Sequence, residues 1–189
     1  MADAHYFIAV PVTEPARSVI KDWAAMLQKR YSFKKWVHPQ DYHITLAFLG
    51  SAEFSRMERL KNALAPVLDG QEPFRLQINE MGTFGRKDSP RILWAGTEKS
   101  EQLERLRDSV YDVCREHGFI LDERPFNPHI TIARKWVGDE SFSHVSDQAP
   151  APKEGKIIED VEHAVLYQTH MRRTPMYQPL KIFQLGGEQ

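Results

Sequence analysis

His43-Ile44-Thr45-Leu46 and His129-Ile130-Thr131-Ile132 are two copies of one pattern, and the fold follows from how they are read. The second copy begins 86 residues after the first, at position 129 against 43. Each lies in an apolar run, HITLAFLG over 43–50 and HITIAR over 129–134, that reads as a buried strand. Side chains alternate across a strand, so His and Thr share one face while the Ile-Leu or Ile-Ile pair takes the other. A rise of ~3.3 Å per residue sets each His about 6–7 Å from its Thr, close enough to share one small anion. Two such strands facing each other across a cleft would supply two imidazoles and two hydroxyls, a set suited to acid–base chemistry on a phosphate.

Outward from these strands the same order of elements recurs. A helix, a short extended piece and a turn rich in Pro, Asp or Asn precede both copies. The turn is Gln40-Asp41-Tyr42 before the first and Arg124-Pro125-Phe126-Asn127-Pro128 before the second, the pattern of a structural duplication. Residues 5–12 (HYFIAVPV) predict a strand, and Thr13-Glu14-Pro15 opens a helix with Ile20, Trp23, Ala24 and Leu27 on its apolar face. A second helix is expected from about Glu53, with Met57, Leu60 and Leu64 buried and Pro66 kinking or ending it. Residues 74–84 and 91–96 predict strands. Leu103, Leu106, Val110, Val113 and Cys114 mark a third helix from Thr97 or Ser100 to His117, stopped by Gly118.

Phe119-Ile120-Leu121 is expected as a short strand, and 136–156 as loop containing a linker-like Ala149-Pro150-Ala151-Pro152. Ile157–Gln168 and Met176–Leu185 are expected as two strands joined by a basic hairpin loop, His170-Met171-Arg172-Arg173-Thr174-Pro175. The tail Gly186–Gln189 is expected to fray.

A chain of 189 residues is expected as a single domain, 1–189, built from two pseudo-repeated lobes, and it can bury a real core. Its hydrophobic fraction of 41% and charged fraction of 27% are those of a soluble globular protein. There is no run of 18 apolar residues, and the start MADAHYFIAV lacks the basic region and cleavage site of a signal peptide, so a cytoplasmic protein is expected. One cysteine, Cys114, excludes an intramolecular disulfide and a cysteine metal cage; on an apolar helix face it reads as a small buried hydrophobe. A net charge of −1 and a pI near 6.7 argue against a broad basic surface for long nucleic acid, while a local cluster can still hold one or two phosphates.

Two His-x-Thr strands in an α+β chain of this length resemble the two-histidine (2H) phosphoesterase superfamily. Within it the chain is similar to the RNA 2′,3′-cyclic phosphodiesterases, historically called 2′-5′ RNA ligases or LigT-like proteins. The resemblance takes in Phe7-Ile8-Ala9-Val10, Trp36-Val37, both motifs out to Gly50 and Arg134, Pro90-Arg91-Ile92-Leu93-Trp94, and the closing pair Leu166-Tyr167-Gln168-Thr169 and Tyr177-Gln178-Pro179-Leu180. Ile132 departs from the commoner Leu, on the core face. Thr169 stands where Ser is usual, and the 170–174 loop lacks Gly. The resemblance implies a bilobal fold, two pseudo-symmetric lobes each with an antiparallel sheet and flanking helices around a central cleft. It implies metal-independent, cofactor-free hydrolysis of 2′,3′-cyclic phosphate ends to 2′-phosphates, with RNA ends or short nucleotides as partners, no membrane and no obligate protein partner.

By the same resemblance His43 is the general acid to the 3′ oxygen and His129 the general base; by residue chemistry alone the two roles are interchangeable. Thr45 and Thr131 would donate to the non-bridging phosphate oxygens. Arg134 matches the family motif as a phosphate contact, yet it lies three residues beyond Thr131. Strict alternation therefore sends it to the opposite face unless the strand twists, bulges or ends.

Phe48, Phe84 and Phe126 are candidates to stack on a nucleobase, and Arg91 to gather positive charge near an RNA end; the ordinary roles of such residues are core packing and solvated loop charge. His5, His38, His117, His144, His163 and His170 have no comparable company and read as surface or structural. Neither motif histidine has neighbours in a metal-ligand spacing. Alternatives are reversible 2′-5′ RNA joining, another cyclic or 2′-5′-linked phosphodiester, and, from a different class, an RNA-end binding module without turnover.

Overall fold

Among the described residues every strand pairing is antiparallel, and the nine strands belong to one sheet. The computed structural model describes residues 5–145 and 156–186. Ala149-Pro150-Ala151-Pro152 and the end of the tail lie outside the described residues. The strands are β1 (His5–Pro11), β2 (Phe33–Trp36), β3 (His43–Ser51), β4 (Phe74–Gly85), β5 (Pro90–Thr97), β6 (His129–Trp136), β7 (Ile157–Val161), β8 (His163–Thr169) and β9 (Tyr177–Gln184). Their order is β7-β4-β5-β6-β3-β1-β8-β9, with β2 added on β6. The sheet thus divides into two halves, one of four strands and one of four with β2 added, joined at β3 and β6, the two His-x-Thr strands, with His43 and His129 on either side of the join. This is the α+β architecture, antiparallel sheet with flanking helices, that the resemblance implied.

Three helices cover the sheet: α1 (Ala16–Gln28), α2 (Phe54–Asp69) and α3 (Glu101–Glu116). Their buried positions are those of the 3.6-residue period: Ile20, Trp23, Ala24 and Leu27 on α1, Met57, Leu60, Leu64 and Leu68 on α2, and Leu103, Leu106, Val110, Val113 and Cys114 on α3. The Ser100 hydroxyl caps α3 by accepting from the Leu103 N–H at 3.2 Å. Gly118, at φ +77°, follows its end in the left-handed conformation that a side chain disfavours. Ile44, Leu46, Ile130 and Ile132 join these helices in one core. The Ile side of each His-x-Thr strand is thereby locked inward, and the His and Thr side is left to face out of the core.

Three local expectations are corrected. Pro66 does not end α2; the helix runs on to Asp69 because Leu64 and Leu68, fully buried on either side of the proline, hold its last turn against the core. Phe119-Ile120-Leu121 has a strand-like burial pattern, with Ile120 97% exposed between two buried neighbours, yet no strand pairs with it. Ile157–Gln168 is two strands. The chain breaks at Glu162 because β7 pairs with β4 in one half of the sheet and β8 with β1 in the other. One residue therefore carries the chain between the two halves, and the Leu185 N–H donates to the Glu162 carbonyl at 2.8 Å to hold the crossing.

Candidate active site

The join between β3 and β6 rests on a single pair, Ile44 opposite Ile130, both sealed in the core. Antiparallel pairing at that point sets His43 across from Thr131 and Thr45 across from His129, so the four polar side chains emerge together on the outer face.

Each histidine is fixed in the same way. His43 Nδ1 donates to the Asp41 carbonyl at 2.7 Å, and His129 Nδ1 donates to the Asn127 carbonyl at 2.7 Å. In both copies the acceptor is the carbonyl two residues back in the turn, and it selects the tautomer that carries the proton on Nδ1. Nε2 of each ring, which has no hydrogen-bond partner among the described residues, is left free to take or give a proton.

Aromatic rings wall in both imidazoles. Phe7 lies 4.9 Å from the His43 ring, and Tyr177 meets it edge-on at 5.0 Å. Phe84 meets the His129 ring edge-on at 4.8 Å, backed by Trp94 at 5.3 Å. Trp94 can lie flat there because Gly82 and Gly96 beneath it have no side chain; a Cβ at either would collide with the indole. Burial pushes the His43 pKa down to about 4, assisted by Arg134 and opposed by the bond to Asp41. Burial lowers His129 too, opposed by the bond to Asn127 and assisted by Arg134. Both rings are therefore neutral at neutral pH.

Arg134 reaches this face through a β-bulge. Trp94 pairs with Thr131 but Leu93 pairs with Ala133, so Ile132 is an extra residue in β6, and Arg134 comes to lie opposite Ile92, in line with Trp94 and Gly96. The first copy has the same bulge at Leu46. Ala9 pairs with Thr45 and Ile8 with Ala47, which brings Phe48 opposite Phe7 on the His43 side. Phe48 and Arg134 are thus equivalent positions of the two halves, one presenting a ring 55% exposed and the other a guanidinium. Arg134 lies beside the Tyr177 hydroxyl.

Among the described residues Arg91 and Phe126 have no ring or charge contact with either histidine. Arg91 is solvent-exposed at the start of β5, at the register shift where Gly85 pairs with Pro90 and Phe84 with Ile92. Phe126, partly buried, packs against the core with the Arg107 guanidinium of α3 5.5 Å from its ring. Tyr177 and Asp41 are site neighbours that no local pattern announced. The Asp41 carboxylate, on a residue 5% exposed, accepts from the main-chain N–H groups of Met176 at 2.8 Å and Tyr177 at 3.2 Å.

A sequence profile of the 2′-5′ RNA ligase superfamily matches residues 11–154. The RNA 2′,3′-cyclic phosphodiesterase of Geobacillus stearothermophilus is 43% identical over 99% of this chain, which spans 59% of that relative's length. The protein of the same name from Bacillus subtilis is 36% identical over 96% of this chain and 97% of its own. A crystal structure of E. coli LigT complexed with 3′-AMP matches with a TM-score of 0.80 at 24% identity, over 97% of this chain and 98% of that one, a likeness of fold. With two His-x-Thr strands joined at the centre of this fold, the chain belongs to the 2′-5′ RNA ligase superfamily.

Proposed function

We propose that this protein opens 2′,3′-cyclic phosphates at RNA ends by adding water, with His43 and His129 as the proton-transfer pair. The matched tautomer lock carries this reading: two neutral imidazoles, each with Nε2 free, stand beside two threonine hydroxyls around one point. One Nε2 takes the proton of the attacking water as its oxygen bonds to phosphorus, and the other, protonated, gives a proton to the ribose oxygen as the P–O bond breaks. Thr45 and Thr131 donate to the non-bridging oxygens, where negative charge gathers in the transition state. Arg134 adds a cation on the same face. The names of the Geobacillus and Bacillus relatives support the same substrate.

His43 is the acid in this reading. Asp41 is the one carboxylate whose field favours the charged form of either imidazole, and it acts on His43. The reverse assignment is favoured by the stronger burial of His43, which makes it the more firmly neutral ring. Phe48 and Phe84 flank the cluster as surfaces for the terminal base.

The test is incubation with an RNA ending in a 2′,3′-cyclic phosphate in excess EDTA, followed by identification of the product isomer. Turnover to a 2′-phosphate, abolished by His43→Ala and by His129→Ala, is expected. Tight binding without turnover would instead assign an RNA-end binding module.

A further inference from the structure

Lys35 of β2 and Arg134 of β6 stand directly opposite one another in the antiparallel ladder. Like charges at opposed positions repel, and an anion bound between them would relieve that repulsion. Among the described residues neither cation has a carboxylate partner. The Lys35 ammonium instead donates to the Met176 thioether at 2.8 Å, a weak acceptor that an anion would displace. Both cations line a cavity of about 150 Å³ together with His38, Thr174 and Tyr177. The acid at its wall, Asp41, already has both carboxylate oxygens engaged by the main-chain N–H groups of Met176 and Tyr177.

The cavity adjoins the two histidines without containing them. Arg134 borders both regions: its charge reaches both imidazoles, and the bulge at Ile132 turns it to their face. Thr131 and Arg134 are separated by about 7–10 Å of strand, a span that one nucleotide covers from its terminal phosphate to the next.

Resting on the hydrolase reading above, we propose that Lys35, Arg134 and this cavity form a second anion subsite, which takes the phosphate on the 5′ oxygen of the nucleoside carrying the cyclic phosphate. The substrate class is then a nucleotide with two phosphates, an internal diester in RNA or a terminal 5′-monoester. A nucleoside 2′,3′-cyclic phosphate with a free 5′ hydroxyl leaves the subsite empty.

Three substrates test this: a nucleoside 2′,3′-cyclic phosphate, the same compound with a 5′-phosphate, and a dinucleotide ending in the cyclic phosphate. The two with a 5′-side phosphate are expected to exceed the first in kcat/KM by about tenfold or more. In Lys35→Gln, a change at an exposed side chain, that ratio should fall toward one. The slope of log kcat/KM for the dinucleotide against log salt should lose about 0.7, the value for one phosphate contact to a single strand.

Equal kcat/KM for all three substrates would overturn the subsite, as would a ratio untouched by Lys35→Gln. An advantage confined to the dinucleotide would also overturn it, by assigning the gain to a second base. If none of the three is opened, the hydrolase reading fails and the subsite falls with it.

Discussion

Among the described residues Ile44 and Ile130 are the one pair that joins β3 to β6, and with it the two halves of the sheet. Both are sealed in the core, so truncating either leaves a cavity at the seam. Ile130→Ala should cost about 2–5 kcal/mol in urea denaturation, and Ile130→Val about 1 kcal/mol. Because the seam sets the spacing of the four polar side chains, the alanine variant should also lose activity at temperatures where it is fully folded. Full activity in the folded alanine variant would show that the site is held elsewhere.

Acid and base can be separated by the leaving group. Each of His43→Ala and His129→Ala should lower kcat on a cyclic phosphate by about 10²–10⁴-fold. A phosphodiester that expels p-nitrophenolate needs no protonation of the departing oxygen. Activity on it should return in the variant lacking the acid, His43→Ala, and stay low in His129→Ala. Recovery in His129→Ala instead would reverse the assignment.

The threonines should act on chemistry more than on binding. Thr131→Val and Thr45→Val remove a hydroxyl while keeping the branched shape, and each should lower kcat by about 10²-fold with a smaller change in KM. Thr131→Ser, which keeps the donor, should recover most of the loss. A valine variant with wild-type kcat would exclude that hydroxyl from the transition state.

The histidines also give stability a pH dependence with a definite sign. His43 is lowered to about 4 in the folded protein against an ordinary 6.5, chiefly by burial. Between those values the unfolded chain binds more protons, so stability rises with pH. The contribution of the neutral ring is complete above pH 6.5 and is lost as pH falls toward 4. The melting temperature should therefore drop more steeply over this window in the wild type than in His43→Gln. Equal slopes would refute the depressed pKa.

Asp41 ties the turn before His43 to the start of β9. Asp41→Ala leaves the N–H groups of Met176 and Tyr177 without their acceptor and should cost about 3 kcal/mol. It also frees Tyr177 from the His43 ring, so kcat should fall, and trypsin should cut at Arg172 or Arg173 sooner than in the wild type. Unchanged proteolysis together with unchanged kcat would remove Asp41 from the positioning of the site.

Much of this was readable along the chain because it follows from local periodicity. The period of two set His and Thr against Ile in both strands, the period of 3.6 named the buried faces of α1, α2 and α3, and the doubled motif pointed to two related halves. The same rules misled where context outweighed them. A proline in the last turn of α2 was tolerated because its leucine neighbours are buried. Ile157–Gln168 alternates as one strand, and what divides it at Glu162 is which strand each part pairs with.

The four residues at the centre, His43, Thr45, His129 and Thr131, could be named from the chain because chemistry and spacing repeat there. Their surroundings could not. Arg134 shares a face with His129 because of the unpaired Ile132, a register effect that depends on β5. Arg91 and Phe126 are near the motifs in sequence, but Arg91 sits at a register shift of β5 and Phe126 beside Arg107 of α3. Tyr177 and the Asp41 anchor come from segments 135 and 136 residues apart. Local sequence sets which face of a strand a side chain takes and whether it can carry a proton. Which side chains meet depends on pairing between distant strands, and that is decided when the core closes.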